Sequence, residues 1–215
     1  MSMRFAVSSR ISKDFKEFVS GLKKNGINTI ELHHKDVKET KFRGIKVVSI
    51  HGMLRDYKYL IFLAEALGVE YICFNAYKGE MRKVLRASEE AKEHDVRIAI
   101  ENNDEFRTPQ DVYYALSDNE LGFVLNTSNA RKYNRSLTGF VKMLRDRIVG
   151  VHLSDWYKGI PNLPYSLGES DFLDPVIKEL KNVPIVLDMD ERYSIEDAVI
   201  SMNKLKERER KLRYQ

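Results

Sequence analysis

Short apolar runs recur along the chain at residues 5–7, 27–32, 45–50, 69–74, 96–100, 122–125, 148–153 and 184–187, mostly continuous rather than alternating. Runs of that kind read as strands buried on both faces, as in a parallel sheet covered by helices. Helical periodicity fills most of the gaps. Phe15, Phe18, Val19 and Leu22 share one helical face, with Ser12 as the expected cap and Asn25-Gly26 as the stop. Residues 59–67 form a helix closed by Gly68, and residues 80–94 another with Met81, Val84, Leu85, Ala87, Ser88 and Ala91 inward. Thr108-Pro109-Gln110-Asp111 opens a further helix with a cap, a proline at the first position and an acid in the first turn. Residues 137–144 and 174–180 are helical, and Ser194 starts a last helix.

Eight strands with helices between them predict a single-domain α/β fold over residues 1–215, a (β/α)8 TIM barrel. The second crossover, residues 36–44, is too short and polar for a long helix, so the barrel is compact. A doubly wound open sheet is the alternative, but it usually has fewer strands, and no Gly-rich phosphate loop follows the first strand.

In such a barrel the C-terminal strand ends converge on one face, where chemistry sits. Seven of the eight strands end in a polar or charged residue: Glu31, His51, Asn75, Glu101, Asn126, His152 and Asp188. Carboxylates and imidazole from different strands suit a divalent cation, and the oxygen–nitrogen mixture favours Mn, Zn, Co or Mg over a thiolate-seeking metal. The stretch 148–156 is the clearest case, an apolar run ending in His152 with Asp155 and the single tryptophan, Trp156, beside it.

Composition narrows the classes. The 43% hydrophobic and 32% charged fractions are those of a globular protein, and 36 basic against 32 acidic residues make a mixed surface. The basic excess gathers partly in residues 204–213, read as the solvated end of the final helix. A single cysteine, Cys73, excludes an internal disulfide and a cysteine-cluster zinc site. No apolar run has the roughly 20 residues of a membrane helix, and no signal peptide is apparent, so a cytoplasmic protein without a membrane partner is expected. Scarce glutamine beside abundant Lys, Arg and Glu hints at a thermophilic source.

The runs Ile98-Ala-Ile-Glu-Asn102, Phe123-Val-Leu-Asn-Thr-Ser-Asn-Ala130 and Val149-Gly-Val-His-Leu-Ser-Asp155, with the glycine-and-acid loop Leu167-Gly-Glu-Ser-Asp171, resemble the xylose isomerase-like TIM barrels. That superfamily includes sugar phosphate isomerases and epimerases, inosose dehydratase-type enzymes and endonuclease IV-like nucleases. The resemblance implies one divalent metal held by Glu101, Asn126, His152 and Asp188, with Asn126 where the family has Asp and Asp188 where it has Glu. It also places Asn129 where a histidine is usual. An asparagine brings only a neutral carbonyl, so the site is expected to bind metal weakly or not at all.

Within this resemblance Glu101 and Asp188 are the candidate proton-transfer pair. His51, Asn75, Asn129, Trp156 and Lys158 are the candidate substrate contacts, and Lys158 or the metal would steady an enediolate oxygen. Trp156 reads as a sugar-stacking platform or as a lid anchor. Of His33 and His34 at most one faces the barrel mouth, and His94 complements a helix end. Three functions follow: an isomerase or epimerase on a sugar or polyol, a metal-poor carbohydrate-binding or accessory relative, and an abasic-site nuclease. The last requires histidines that are absent after the fourth and seventh strands, so nucleic acid is the least expected partner.

Overall fold

A computed structural model describes residues 4–38, 44–117 and 119–213. Eight parallel strands close into a barrel: β1 (Arg4–Ser8), β2 (Thr29–His33), β3 (Lys46–Gly52), β4 (Tyr71–Phe74), β5 (Arg97–Glu101), β6 (Gly122–Asn126), β7 (Ile148–Leu153) and, after an antiparallel hairpin of β8 (Asp155–Tyr157) and β9 (Ile160–Leu163), β10 (Pro184–Leu187). Closure is made by β1, which pairs with β10 through Phe5↔Ile185 and with β2 through Val7↔Ile30. The helices are α1 (Phe15–Lys24), α2 (Tyr57–Leu67), α3 (Met81–Lys92), α4 (Pro109–Leu116), α5 (Thr127–Lys132), α6 (Leu137–Leu144), α7 (Asp174–Glu179) and α8 (Ile195–Arg213). The expected TIM barrel is therefore the fold observed. Between β2 and β3 the described residues hold only the single turn His34–Asp36, in keeping with the short second crossover.

Local chemistry explains most boundaries. Thr108 and Asp111 form the reciprocal cap that opens α4, and Gly68 closes α2 in the left-handed conformation at φ 62°. The expected cap at Ser12 is corrected: Asp14 caps α1, its carboxylate accepting the Lys16 and Glu17 N–H groups at 2.8 and 3.0 Å. An ionised acceptor binds the orphan amides of a first turn more strongly than a hydroxyl. Two elements were not anticipated from the chain, the α5 turn of helix directly after Asn126 and the β8–β9 hairpin.

The period of two along each strand sorts side chains between two cores. Ile98 and Ile100 face the surrounding helices while Ala99 lies in a separate interior cluster with Tyr71, Cys73 and Val124. Ala6, Val48 and Val186 form a second interior layer. Continuing the alternation to the strand ends turns Glu101, Asn126, His152 and Asp188 inward at the top of the barrel. Small interior residues make room for one large one: a Cβ on Gly150 would lie 2.0 Å from the Tyr71 hydroxyl. Gly150→Ala is expected to destabilise the protein by about 1–3 kcal/mol through overpacking, read from the denaturation midpoint at an unchanged m-value. No helix among the described residues is long and apolar enough to cross a membrane.

Candidate functional site

At the C-terminal end of the barrel a cavity of about 710 Å³ is lined by Arg10, His33, His51, Asn75, Glu101, Asn126, Asn129, Asn162 and Asp188, among others. Of the ring expected there, His51, Asn75, Glu101, Asn126 and Asp188 line the cavity, Glu31 and His152 are wholly buried, and Arg10, just after β1, joins the lining.

Its floor is a buried ion triad. His152, wholly inaccessible, faces Glu101 through Nδ1 at 3.1 Å and Glu31 through Nε2 at 3.0 Å. An ionised carboxylate offers only lone pairs, so both ring nitrogens donate and the imidazole is held as a cation. Burial alone would lower the His152 pKa, but the charges of Glu31 and Glu101 and their hydrogen bonds outweigh it and raise it well above the usual value. The converse holds for the acids. Burial works to raise Glu101, yet His51, His152 and the Asn126 amide bring it down to about 2. Glu31 is lowered in the same way against its burial, chiefly by His152 and with help from Ser49 Oγ at 2.8 Å.

Asp188 behaves differently. Burial raises its pKa, only partly offset by His152 and by Arg10, whose Nη1 lies 3.4 Å from Oδ2. Its Oδ1 is buried without a hydrogen-bond partner. His33 is pushed down to about 3 by burial and then by the neighbouring His51 and His34 charges, so it stands neutral beside the cavity.

The other expected residues sort into three groups. His51, at the end of β3, lies against the triad, its Nε2 3.6 Å from Glu101 Oε1. Asn75 and Asn129 reach the cavity while each is tied to the β5 end, Asn75 accepting from Asn103 and Asn129 donating to the Asn102 carbonyl, both at 2.8 Å. Trp156 and Lys158 belong to the β8–β9 hairpin and do not line the cavity; Lys158 is exposed, at φ 45°, over the Tyr157 ring. Of the two adjacent histidines, His33 is partly buried and His34 exposed, and both border the cavity.

Asp155 is a clasp. It is fully buried, its Oδ2 accepts the Ser166 and Gly168 N–H groups at 3.0 Å each and the Ser170 hydroxyl, and its Oδ1 accepts the Trp156 N–H. Asp155→Ala is expected to unpin residues 164–170, lowering stability by about 2–4 kcal/mol and opening that loop to limited proteolysis ahead of global unfolding.

The four-residue metal set implied by the resemblance does not fit this arrangement. Asn126 Oδ1 caps α5 by accepting the Asn129 N–H at 3.0 Å, and its Nδ2 donates to Glu101, so it turns amide hydrogens toward the site instead of a lone pair. Asp188 belongs to neither of the two groups among the described residues whose potential ligand atoms lie within 4.8 Å of one another. Those groups are Glu31–His51–His152 and His51–Cys73–Glu101, and in the second the buried Cys73 thiol is pushed well up by burial and by the nearby carboxylates. Arg10, His33 and Asn162 are cavity residues outside the strand-end ring, and Glu31, a member of that ring, has no role in the expected metal set or substrate contacts. For Glu31 the signal was present, an acid ending an apolar run like the others.

No protein-family model matches the sequence, and no curated protein matches it. The fold is shared with solved structures at low identity. A probable 3-DHS dehydratase involved in petrobactin synthesis from Bacillus anthracis superposes with a TM-score of 0.76 at 12% identity, over 95% of this chain and 98% of that one. A 3-keto-D-glucoside 4-epimerase from E. coli gives 0.75 at 11%, over 95% and 99%. Endonuclease IV from Thermus thermophilus gives 0.69 at 17%, over 94% and 97%. The architecture that these structures share with this chain is the (β/α)8 barrel.

Proposed function

We propose that the protein is an isomerase or epimerase that moves a proton at a carbon next to the carbonyl of a sugar or sugar-like polyol. The observation that carries this reading is a pair of buried carboxylates, Glu101 on β5 and Asp188 after β10, at the wall of one cavity with proton affinities pushed in opposite directions. Two acids in one pocket, one held ionised and one whose ionisation burial disfavours, suit acid–base exchange at a single carbon. Glu101, ionised, accepts the proton; Asp188 delivers one from another side, three strands away around the barrel. Arg10 and His51 border the same cavity and supply N–H donors for the oxygen that becomes anionic in between. Asn75, Asn129 and Asn162 add polar groups suited to hydroxyls, and the volume is that of a small-molecule site. The epimerase among the structures of like fold is consistent with this substrate class.

The test is exchange in D2O. A panel of ketoses, aldoses and keto-glycosides, with and without phosphate, is incubated with the protein, and deuterium incorporation beside the carbonyl is followed by NMR. Incorporation with one panel member, lost when Glu101 or Asp188 is neutralised, is the expected result. Saturable binding without exchange would leave a carbohydrate-binding protein without turnover, the reading that the capped Asn126 favours. Cleavage of an abasic-site duplex by the same preparation, absent from a Glu101→Gln preparation, would point to the nuclease instead.

A further inference from the structure

We propose that the barrel mouth binds one divalent transition-metal ion through Glu31, His51 and His152, a set displaced from Glu101, Asn126 and Asp188. The three side chains come from β2, β3 and β7, and their potential ligand atoms lie within 4.8 Å of one another. A common ion at the usual bond lengths of about 2.0–2.2 Å brings its ligands to roughly 3–3.6 Å apart, so a side-chain adjustment on the order of 1 Å closes the site.

Two buried atoms point to a missing partner. Glu31 is wholly inaccessible, and its Oε1 has no hydrogen-bond partner; His51 Nδ1 is likewise buried and unpartnered. A carboxylate buried with half its acceptor capacity unused is costly unless something else binds it. The surroundings are arranged as metal sites arrange them. Glu101 accepts the His152 Nδ1–H, which leaves Nε2 as the nitrogen facing Glu31, and Ser49 Oγ donates to Glu31 Oε2 and fixes the carboxylate. A carboxylate behind one ring nitrogen orients a histidine whose other nitrogen holds a metal. A bound cation takes the place of the Nε2 proton between His152 and Glu31.

Charge supports the displacement. Asn126 contributes no negative charge, whereas Glu31 restores a carboxylate to the same floor from the other side of His152. Two imidazoles and one carboxylate are a donor set for zinc, cobalt or ferrous iron rather than for magnesium or calcium, which take oxygen. Of the three, His51 lines the cavity, and Glu31 and His152 are wholly buried.

The experiment is metal titration of chelator-stripped full-length protein, with no substrate present. Calorimetry with Zn and Mg, together with the visible absorption of bound Co, is expected to show one Zn or Co site and at least tenfold weaker Mg binding. Glu31→Gln and His51→Gln are each expected to weaken Zn by roughly a hundredfold, and Glu31→Asp, which keeps the buried charge, by roughly tenfold. Asp188→Asn and Asn126→Ala are expected to stay within about threefold of the parent, a contrast that loss of structure would not produce. Circular dichroism and thermal midpoints confirm that each variant is folded. Absence of Zn and Co binding overturns the proposal, as does binding that survives Glu31→Gln and His51→Gln but is lost in Asp188→Asn. Because no substrate enters the assay, its outcome is independent of the isomerase reading: metal without proton exchange sinks only that reading, and exchange without metal sinks only this one.

Discussion

Replacing His152 with alanine is expected to destabilise the chelator-treated protein by about 3–5 kcal/mol, roughly 6–20 °C in thermal midpoint for a chain of this size. The size of the effect comes from what is left behind. Glu31 and Glu101 would remain buried with their shared counter-ion gone, and would have either to hold a charge in an apolar site or to take up a proton. Removing one member of a buried ion cluster costs more than the cluster contributes over an apolar replacement. The double variant Glu31→Gln with His152→Ala should therefore recover part of the loss, and a double-mutant cycle measures the coupling. An additive cycle would show that the triad is not a unit.

The pH dependence has a definite sign. Glu101 is depressed from 4.5 to about 2, so its contribution is present above pH 4.5 and is lost as pH falls toward 2. His152 is raised, so its contribution is fully present below pH 6.5 and is lost as pH climbs through its higher folded value. The stability gap between the parent and His152→Ala should thus be widest between about pH 4.5 and 6.5 and should narrow on both sides. Asp188, raised by burial, works in the opposite sense, destabilising as it ionises above 3.8, but it does so in both proteins.

The second large effect is kinetic. With the exchanging substrate in hand, Glu101→Gln and Asp188→Asn are each expected to lower kcat by about 10²- to 10⁴-fold, with KM changed far less. An amide keeps the shape of a carboxylate, but it turns one acceptor oxygen into a donor and cannot take up a proton at neutral pH. The split between kcat and KM separates proton transfer from substrate binding. Glu101→Gln also frees the His152 Nδ1–H from its anion, so the two variants should differ in stability while agreeing in kcat. Asp188→Asn removes a buried carboxyl whose ionisation burial disfavours and whose Oδ1 is unpaired, and is expected to be neutral or stabilising at pH 7. Near-parental kcat in both variants would remove these residues from the chemistry.

Much of the site was legible along the chain because strand period and barrel closure are both local to the pattern. Glu101, Asn126, His152 and Asp188 each follow an apolar run in the same phase, and the alternation that buries Ile98 and Ile100 outward carries Glu101 inward. Arg10 and Asn162 were invisible as site residues, since both lie in connections whose path is set by packing rather than by period. Lys158 and Trp156 were placed near the substrate because they follow β7 closely. The β8–β9 hairpin carries them away from the cavity, and no residue pattern marked that turn.

What the amino-acid order determined by itself was the set of inward-facing polar residues at one end of an eight-stranded barrel, because alternation and burial depend only on neighbours in the chain. What the tertiary structure alone decided was how those residues spend their charges and lone pairs. Glu31 meets His152 across 121 positions, Asn126 turns its oxygen onto the first turn of α5, and Asp155 serves the loop beneath it instead of the cavity. Pairing of that kind is settled by distance after closure, and a buried carboxylate takes whichever donor the closed barrel brings within about 3 Å.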